Sequence, residues 1–277
     1  MIVGVLVNAP VGHHRWKRRS RAEGVGPVLA GVLVLFALAS PALATQIGAN
    51  FSNNTISRSL GAAEIAGATG FRQANWNQFF IAGGSASDLV DDQGNATTAD
   101  LTWSGNGHND IIFSPSTPDS TLMSAHIRST TGAVTASVSQ ISFATYSVVV
   151  YFDAFNGANE AIHEVAVGGT TLFGRDAANA TFPNGGGEGD FALIPTSSTV
   201  DLGLSTPTGN YMVAGLSGDT VNVSVDLAPS STADRISLTA IQVVEIPEPA
   251  PLVLAVLGLL GVGLSSSFSR RLRLRRR

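Results

Sequence analysis

The stretch "TVNVSVDL" (Thr220–Leu227) alternates apolar and polar side chains along its whole length. Successive side chains of a β-strand point to opposite faces, so Val221, Val223 and Val225 should face a core while the polar residues between them face solvent. The same period of two occurs in "AVTASVS" (residues 133–139). Both stretches predict strands with one buried face, because a shift of one residue in register would exchange the faces.

Two further stretches indicate how such strands are covered and connected. "YSVVVYFDAF" (Tyr146–Phe155) is almost continuously apolar, which is typical of a central strand covered on both faces. "HEVAVGGTTLFG" (residues 163–174) contains two strand-like runs separated by Gly168 and Gly169. This spacing predicts a hairpin with a two-residue turn.

The remaining strand signals complete an all-β pattern. "NYMVAGLSGDTVNVSVDL" (residues 210–227) predicts a second pair of strands turning at residues 217–219, and "RISLTAIQVVEI" (residues 235–246) predicts one long final strand. Helical periodicity is weak, and "SLGAAEIAGATG" (residues 59–70) is the best short candidate. Many short strands between turns predict an antiparallel β-sandwich, jelly-roll-like, with about eight strands.

Charge is distributed unevenly along the 277 residues. Residues 45–244 hold five arginines, no lysine and 17 Asp or Glu, a net charge of −12, whereas residues 270–277 hold six arginines. Phosphate binding needs clustered basic residues, so the acidic middle region argues against nucleic acid as a partner. The chain has no cysteine, which excludes disulfides and thiolate zinc sites.

The N-terminus has the three parts of a secretory signal peptide. A basic block at residues 13–21 precedes the apolar run "VGPVLAGVLVLFALA" (Val25–Ala39). "SPALA" follows and places Ala42 and Ala44 at the −3 and −1 positions of a cleavage site. We expect cleavage after Ala44; an uncleaved N-terminal anchor is the alternative.

The C-terminus has a second apolar segment. Residues 250–264 contain no charge, and the arginine cluster at residues 270–277 follows closely. A membrane-spanning helix needs about 20 residues or slightly fewer, and clustered arginines stay on the cytoplasmic side. This arrangement predicts a single hydrophobic helix that holds the domain outside the inner membrane. The helix should begin after Pro247 and Pro249, because proline is poorly tolerated inside a helix.

The triplet Pro247, Glu248 and Pro249, the short apolar helix and the terminal arginines together resemble the PEP-CTERM sorting signal. The resemblance implies transient anchoring in the inner membrane, removal of the tail by an exosortase-type membrane protease, and passage to the cell surface or extracellular matrix. It divides the chain into a signal peptide (1–44), an exported domain (45–244) and a sorting tail (245–277). A plain C-terminal anchor is the alternative.

Short motifs of the middle region carry a second resemblance. "ANWNQF", "LVDDQGNATTADLTWSGNG", "TLMSAHI", "YSVVVYFDAF" and "RISLTAIQVVE" occur in this order and resemble an exported domain that often precedes this sorting tail. That domain is similar to galactose-binding-like β-sandwiches. The resemblance implies a sandwich that can bind glycan or calcium and carries no established activity.

Two candidate sites follow from the residues. In "DLVDDQGN", Asp88, Asp91, Asp92 and Asn95 place hard oxygen ligands in one loop, as calcium requires, although an acidic turn explains the same composition. Calcium is thus the one cofactor to consider. Trp76 and Trp103 could stack on sugar rings, as carbohydrate-binding sites require, or lie buried at the edge of the sandwich.

No catalytic motif is apparent. His108, His126 and His163 lie in no metal-binding spacing, and the sequence has no GxSxG or phosphate-binding loop. We therefore expect a non-enzymatic surface or extracellular-matrix protein associated with extracellular polysaccharide. The alternatives are a carbohydrate-binding module and a polysaccharide-active hydrolase or lyase, the last needing a pair of carboxylates close in space.

Overall fold

The computed structural model describes residues 44–52, 59–110, 115–152, 161–176 and 191–248. Within these ranges the chain forms fourteen β-strands, one short α-helix and one 3-10 turn, which confirms the all-β class. No helix of the described residues is long and apolar enough to cross a membrane. The predicted C-terminal helix and the signal-peptide core lie outside these ranges.

The elements have the following bounds in chain order: β1 (Gln46–Asn50), β2 (Asn77–Gln78), β3 (Gly84–Ala86), β4 (Asp100–Ser104), β5 (Gly107–Asp110), α1 (Pro118–Leu122), β6 (Ala125–Ser129), β7 (Val134–Ser139), β8 (Thr145–Tyr151), β9 (Ile162–Val167), β10 (Thr170–Arg175), β11 (Tyr211–Ser217), β12 (Val221–Leu227), β13 (Ile236–Leu238) and β14 (Ala240–Glu245). The 3-10 turn is Gly203–Ser205.

The strands form three sheets. The first sheet has the order β11-β8-β14-β1-β2, and the second has the order β10-β9-β12-β7-β4-β3. A small third sheet has the order β13-β6-β5. All neighbouring strands are antiparallel except β1 and β2, so the sheets are of the predicted antiparallel type.

One inter-sheet core joins the three sheets. Apolar side chains from the inner faces of the first and second sheets pack together, and the third sheet adds Ile127, Ile236 and Leu238. Strand β12 contributes to this core as predicted, since Val221, Val223 and Val225 are buried and Asn222 is exposed. The period of two therefore identified a real core face, and burial of each such side chain stabilises the fold by about 1.5–3 kcal/mol.

Strand β8 is buried on both faces, as its continuous apolar sequence predicts. Val148 and Val150 belong to the inter-sheet core, whereas Val149 and Tyr151 belong to a second, outer core. The outer core lies between the outer face of the first sheet and a covering segment, residues 60–76, which α1 extends. The first sheet is thus covered on both faces around β8 and β14.

A buried glutamine attaches the covering segment to the sheet. Gln242 of β14 donates hydrogen bonds from its Nε2 to the carbonyl oxygen of Phe71 (2.6 Å) and to Oε1 of Gln73 (2.9 Å). Its own Oε1 accepts a hydrogen bond from the Tyr151 hydroxyl (3.1 Å), which in turn accepts one from the Ala68 amide (3.2 Å). The desolvation cost of burying these polar groups is offset because each has a hydrogen-bond partner.

Two predictions about connectivity were wrong, and the short helix candidate does not form a helix. β11 pairs with β8 in the first sheet and β12 pairs with β7 and β9 in the second, so residues 217–219 cross between sheets and form no hairpin. The final strand is broken at Thr239, with β13 in the third sheet and β14 in the first. The helix candidate at residues 59–70 is a series of turns, because Gly67 and Gly70 adopt positive φ values of 124° and 90°.

Substitution of Val223 with aspartate tests the packing of β12. Val223 is 2% exposed, so Val223→Asp buries a charge with no partner and should lower the free energy of unfolding by several kcal/mol, on the order of 3–5. Chemical denaturation of the purified protein measures this loss.

The matched control is Asn222→Asp on the same strand. Its side chain is exposed, so the change should stay within about 0.5 kcal/mol of the original protein. Equal denaturation midpoints for the two variants would contradict the burial of alternate residues in β12.

Candidate functional site

The outer face of the second sheet forms a groove of about 650 Å³ across β4, β7, β12 and the end of β9. Its outward-facing side chains are small and polar, because they occupy the solvent-facing positions of the alternating strands. They are Thr102, Ser104, Thr135, Ser137, Asn222 and Ser224.

Strand pairing arranges these side chains in two rows across the sheet. Thr102 pairs with Ser137, which pairs with Asn222, and these three form the first row. In the second row Ser104, Thr135 and Ser224 are neighbours in the same way. Adjacent members of a row lie on strands about 4.8 Å apart, and the rows are separated by about 7 Å along the strands.

The side chains of the two rows have unused hydrogen-bonding capacity. Among the described residues, none of the six makes a side-chain hydrogen bond to another protein group. A hydroxyl both donates and accepts, and the amide of Asn222 adds two donors and an acceptor. The groove therefore offers donors and acceptors together, with no charged residue among those that line it.

The predicted glycine turn closes one end of this groove. β9 and β10 pair through Gly168 and Gly169, whose φ values are 53° and 87°, so the hairpin prediction is confirmed. A Cβ atom on Gly168 would lie 2.4 Å from Cδ2 of Leu216, so a larger residue would have to displace that side chain as well as adopt a positive φ. The turn can approach β11 closely for that reason.

Trp76 lies in the outer core and is 5% exposed. Its indole nitrogen donates a hydrogen bond to the carbonyl oxygen of Gln73 (3.2 Å), and its ring packs edge-on against Tyr151 with centroids 6.2 Å apart. A Cβ atom on Gly48 of β1 would come within 2.6 Å of the indole. Of the two expectations for Trp76, sugar stacking or burial, the structure therefore shows burial.

Trp103 lies on the inner face of the second sheet and is 6% exposed. Its indole nitrogen donates a hydrogen bond to the carbonyl oxygen of Ile81 (3.0 Å), and its ring centroid is 4.5 Å from that of Phe79. Neither tryptophan presents an open ring face to a sugar. The polar residues beside Trp103 on β4 face the groove instead.

The acidic loop at residues 88–95 is held together by its own hydrogen bonds. The Asp91 carboxylate, 7% exposed, accepts hydrogen bonds from the amides of Gln93 (2.9 Å) and Asn95 (2.8 Å). Burial by itself would raise the pKa of Asp91, but the hydrogen bonds from Asn95, Gln93 and Gly94 outweigh it and lower this pKa. These contacts belong to a structural turn.

Asp88 and Asp92, which were also candidate calcium ligands, have structural positions in the same loop. Asp92 accepts a hydrogen bond from the Gln46 amide (3.1 Å) and so ties the loop to β1, while Asp88 adopts a positive φ of 53°. No group of three or more His, Asp or Glu side chains in the described ranges could hold a metal ion. The acidic turn accounts for the loop, and calcium binding stays a prediction.

The residues of the predicted sorting motif and signal cleavage site lie only in part within the described ranges. Pro247 and Glu248 are exposed beyond the end of β14, Ala44 is half-buried before β1, and Ala42 and Pro249 lie outside the described residues. The Glu245 amide donates a hydrogen bond to the carbonyl oxygen of Thr45 (2.9 Å). Both ends of the described domain therefore leave it at the same place.

The sequence assigned no metal site to His126 and His163, and it did not predict that both are buried. His126 of β6 is 2% exposed and His163 of β9 is fully buried, and no ring nitrogen of either has a hydrogen-bond partner among the described residues. The pKa of each histidine is lowered to about 3, and burial is the main cause in both. For His126 the charges of His108, Arg128, His163 and Arg235 contribute to the same lowering. Both imidazoles are thus neutral in the folded protein.

The groove residues were also missed as a site, although their outward orientation on β7 and β12 was predicted. The signal lay in "DLTWS", "VTASVS" and "VNVSV", where nearly every solvent-facing position carries a hydroxyl or amide in place of a charge. These side chains form one site only because β4, β7 and β12 are neighbours in the sheet. The sequences of the separate strands do not predict that order.

Comparison with known proteins gives no family. No protein-family profile matches the chain, and no curated protein matches it. Among solved structures, a family GH115 4-O-methyl-alpha-glucuronidase, BtGH115A, described as specific for decorated arabinogalactans, is similar with a TM-score of 0.27 and 10% identity. The match covers 51% of this chain and 16% of that enzyme, and this likeness carries no argument about fold or activity.

The buried histidines predict a stability that depends on pH. Their folded-state pKa of about 3 lies below the ordinary 6.5, so below pH 6.5 the unfolded chain takes up protons that the folded state excludes. The part of the free energy of unfolding that depends on neutral histidines is fully present above pH 6.5 and is lost as the pH falls towards 3. Between about pH 7.5 and about pH 5, denaturation should show a loss of about 2 kcal/mol per histidine.

His163→Phe tests this assignment with a ring that cannot be protonated. It should remove about half of the pH-dependent loss, whatever its effect on stability at neutral pH. Val223→Ala, which leaves a cavity in the core without changing a titrating group, should keep the original pH slope. An unchanged slope in His163→Phe would contradict the assignment.

Proposed function

We propose that this chain is an exported, non-enzymatic surface or extracellular-matrix protein whose sandwich binds polysaccharide through the groove of the second sheet. The observation that carries the proposal is the double row of hydroxyl and amide side chains, none of which is used in a hydrogen bond to another described residue. A ligand rich in hydroxyl groups can exchange its hydrogen bonds with water for bonds to these groups.

The shape of the groove favours a chain molecule. It runs across four neighbouring strands, and hydroxyl or amide side chains repeat on three of them, β4, β7 and β12. Successive sugar residues of a polysaccharide can therefore meet similar partners, as a repeating ligand requires. Neutral hydrogen bonds contribute about 0.5–1.5 kcal/mol each, so several of them are needed for useful affinity.

The chemistry of the lining favours binding over turnover. General acid–base catalysis and covalent catalysis need a titrating group within hydrogen-bond reach of the reacting atoms. The residues that line the groove are Ser, Thr, Asn, Gly, Ala, Val and Trp, which supply no such group. The proposal therefore assigns the groove to a binding module.

The proposal of export rests on the two ends of the chain. Thr45 and Glu245 are joined by a backbone hydrogen bond, so the two ends of the described domain are adjacent, and Pro247 and Glu248 are exposed. An exosortase-type protease at the inner membrane would be the partner. From β7 to β14 the chain passes repeatedly between sheets, which supports the finer proposal of a jelly-roll-like sandwich.

Tail processing predicts a specific mature mass. The form released to the cell surface should lack the segment from about Pro247 onward, because the tail resembles a sorting signal that is removed. Intact-mass measurement of the surface-extracted protein checks this prediction. If the surface form still carried Arg277, the sorting interpretation would be wrong and the tail would be a plain C-terminal anchor.

Polysaccharide binding is tested by removing polar groups from the groove. A triple variant, Ser137→Ala, Asn222→Ala and Ser224→Ala, should weaken retention on the best polysaccharide of an unbiased panel by about 100-fold, since three hydrogen bonds at about 1 kcal/mol each are lost. Affinity electrophoresis of the full-length protein measures the retention.

Gln93→Ala is the control, because Gln93 is exposed in the acidic loop and does not line the groove. It should be retained like the original protein. If the triple variant is retained equally well while its thermal stability is unchanged, the groove is not the binding site. If no polysaccharide of the panel is retained by any of the proteins, the proposed function is wrong.

A further inference from the structure

We infer that the groove selects uncharged polysaccharide over chains that carry carboxylates, because acidic side chains flank it on the same face of the second sheet. This inference rests on the proposed function and adds the chemical class of its ligand.

Two of the flanking carboxylates belong to the strands that form the groove. Glu164 lies two residues from Ala166 on β9, and Asp226 lies two residues from Ser224 on β12. Side chains two residues apart on a strand point to the same face, about 7 Å from each other. Glu164 and Asp226 are therefore immediate neighbours of the lining without being part of it.

These two residues are also directly opposite each other, because β9 and β12 pair with Glu164 next to Asp226. Like charges in such a cross-strand pair destabilise a sheet. No ion pair within the described ranges involves either residue. Arg175 of β10 is the only cation in the described strands of this sheet; it donates a hydrogen bond to Oγ1 of Thr208 (3.2 Å) and forms no ion pair with Glu164.

The opposite side of the groove has the same sign of charge. Asp100 lies two residues from Thr102 on β4 and pairs with Ser139 of β7, so it flanks the first row. Its carboxylate accepts hydrogen bonds from Nε2 of Gln140 (2.5 Å) and from the Asp88 amide (3.2 Å), both of which are neutral donors. The groove is thus uncharged inside and negative on both flanks.

The magnitude of the effect follows from the distances. A ligand carboxylate in the groove would lie about 7 Å from these side chains, which is shorter than the Debye length of about 8 Å at physiological ionic strength. The net charge of −12 over residues 45–244 adds repulsion of the same sign. We expect discrimination on the order of tenfold against an anionic chain at low salt.

A matched pair of polysaccharides tests the inference on the full-length protein. The probes are the best-retained neutral polysaccharide of the panel, its carboxymethyl derivative and its hydroxyethyl derivative, the last being a neutral control for the bulk of the substituent. The original protein should retain the neutral and hydroxyethyl forms alike. It should retain the carboxymethyl form about tenfold less, and this difference should shrink in 0.5 M salt.

A charge-neutralised protein, Glu164→Gln with Asp226→Asn, completes the test. It removes the opposed like charges with nearly isosteric side chains, so its thermal stability should not fall, and it should retain the carboxymethyl form several-fold better than the original protein. Equal or stronger retention of the carboxymethyl form by the original protein would overturn the inference while leaving polysaccharide binding intact. Loss of the neutral form in the Ser137, Asn222 and Ser224 variant confirms separately that the groove is the site measured.

Discussion

The rest of the architecture depends on the burial of both faces of β8. This strand lies between β11 and β14 in the first sheet, and its alternate residues enter the inter-sheet core on one side and the outer core on the other. A second apolar face requires a second cover. The chain supplies it with residues 60–76 and α1, and Gln242 and Tyr151 attach that cover through buried hydrogen bonds.

The two large sheets consequently have different outer faces. The outer face of the first sheet is occupied by the protein's own cover, so it has no surface available for a ligand along β8. The outer face of the second sheet keeps the solvent-facing half of each alternating strand. Because these positions carry Ser, Thr and Asn, the exposed half of a structural pattern becomes a groove of uncharged hydrogen-bonding groups.

Charge and polarity are therefore separated on the molecule. The groove lining is neutral, acidic residues flank it, and His126 and His163 stay neutral because they are buried. The two histidines leave four ring nitrogens without partners in the described part of the chain, which costs stability that the surrounding cores must offset. Such an interior tolerates neutral and alkaline conditions better than acid.

The amino-acid sequence by itself determined the all-β class, the inward-facing residues of β7 and β12, the two-sided burial of β8 and the Gly168-Gly169 turn. Each of these follows from local alternation or from backbone freedom, which depend on neighbours in sequence. Only the tertiary structure decided that β11 and β12 lie in different sheets, that the final strand breaks at Thr239, and that Trp76 and Trp103 are buried. Strand partners and ring burial depend on which segments meet across the core, and a period of two is the same whichever sheet the strand joins.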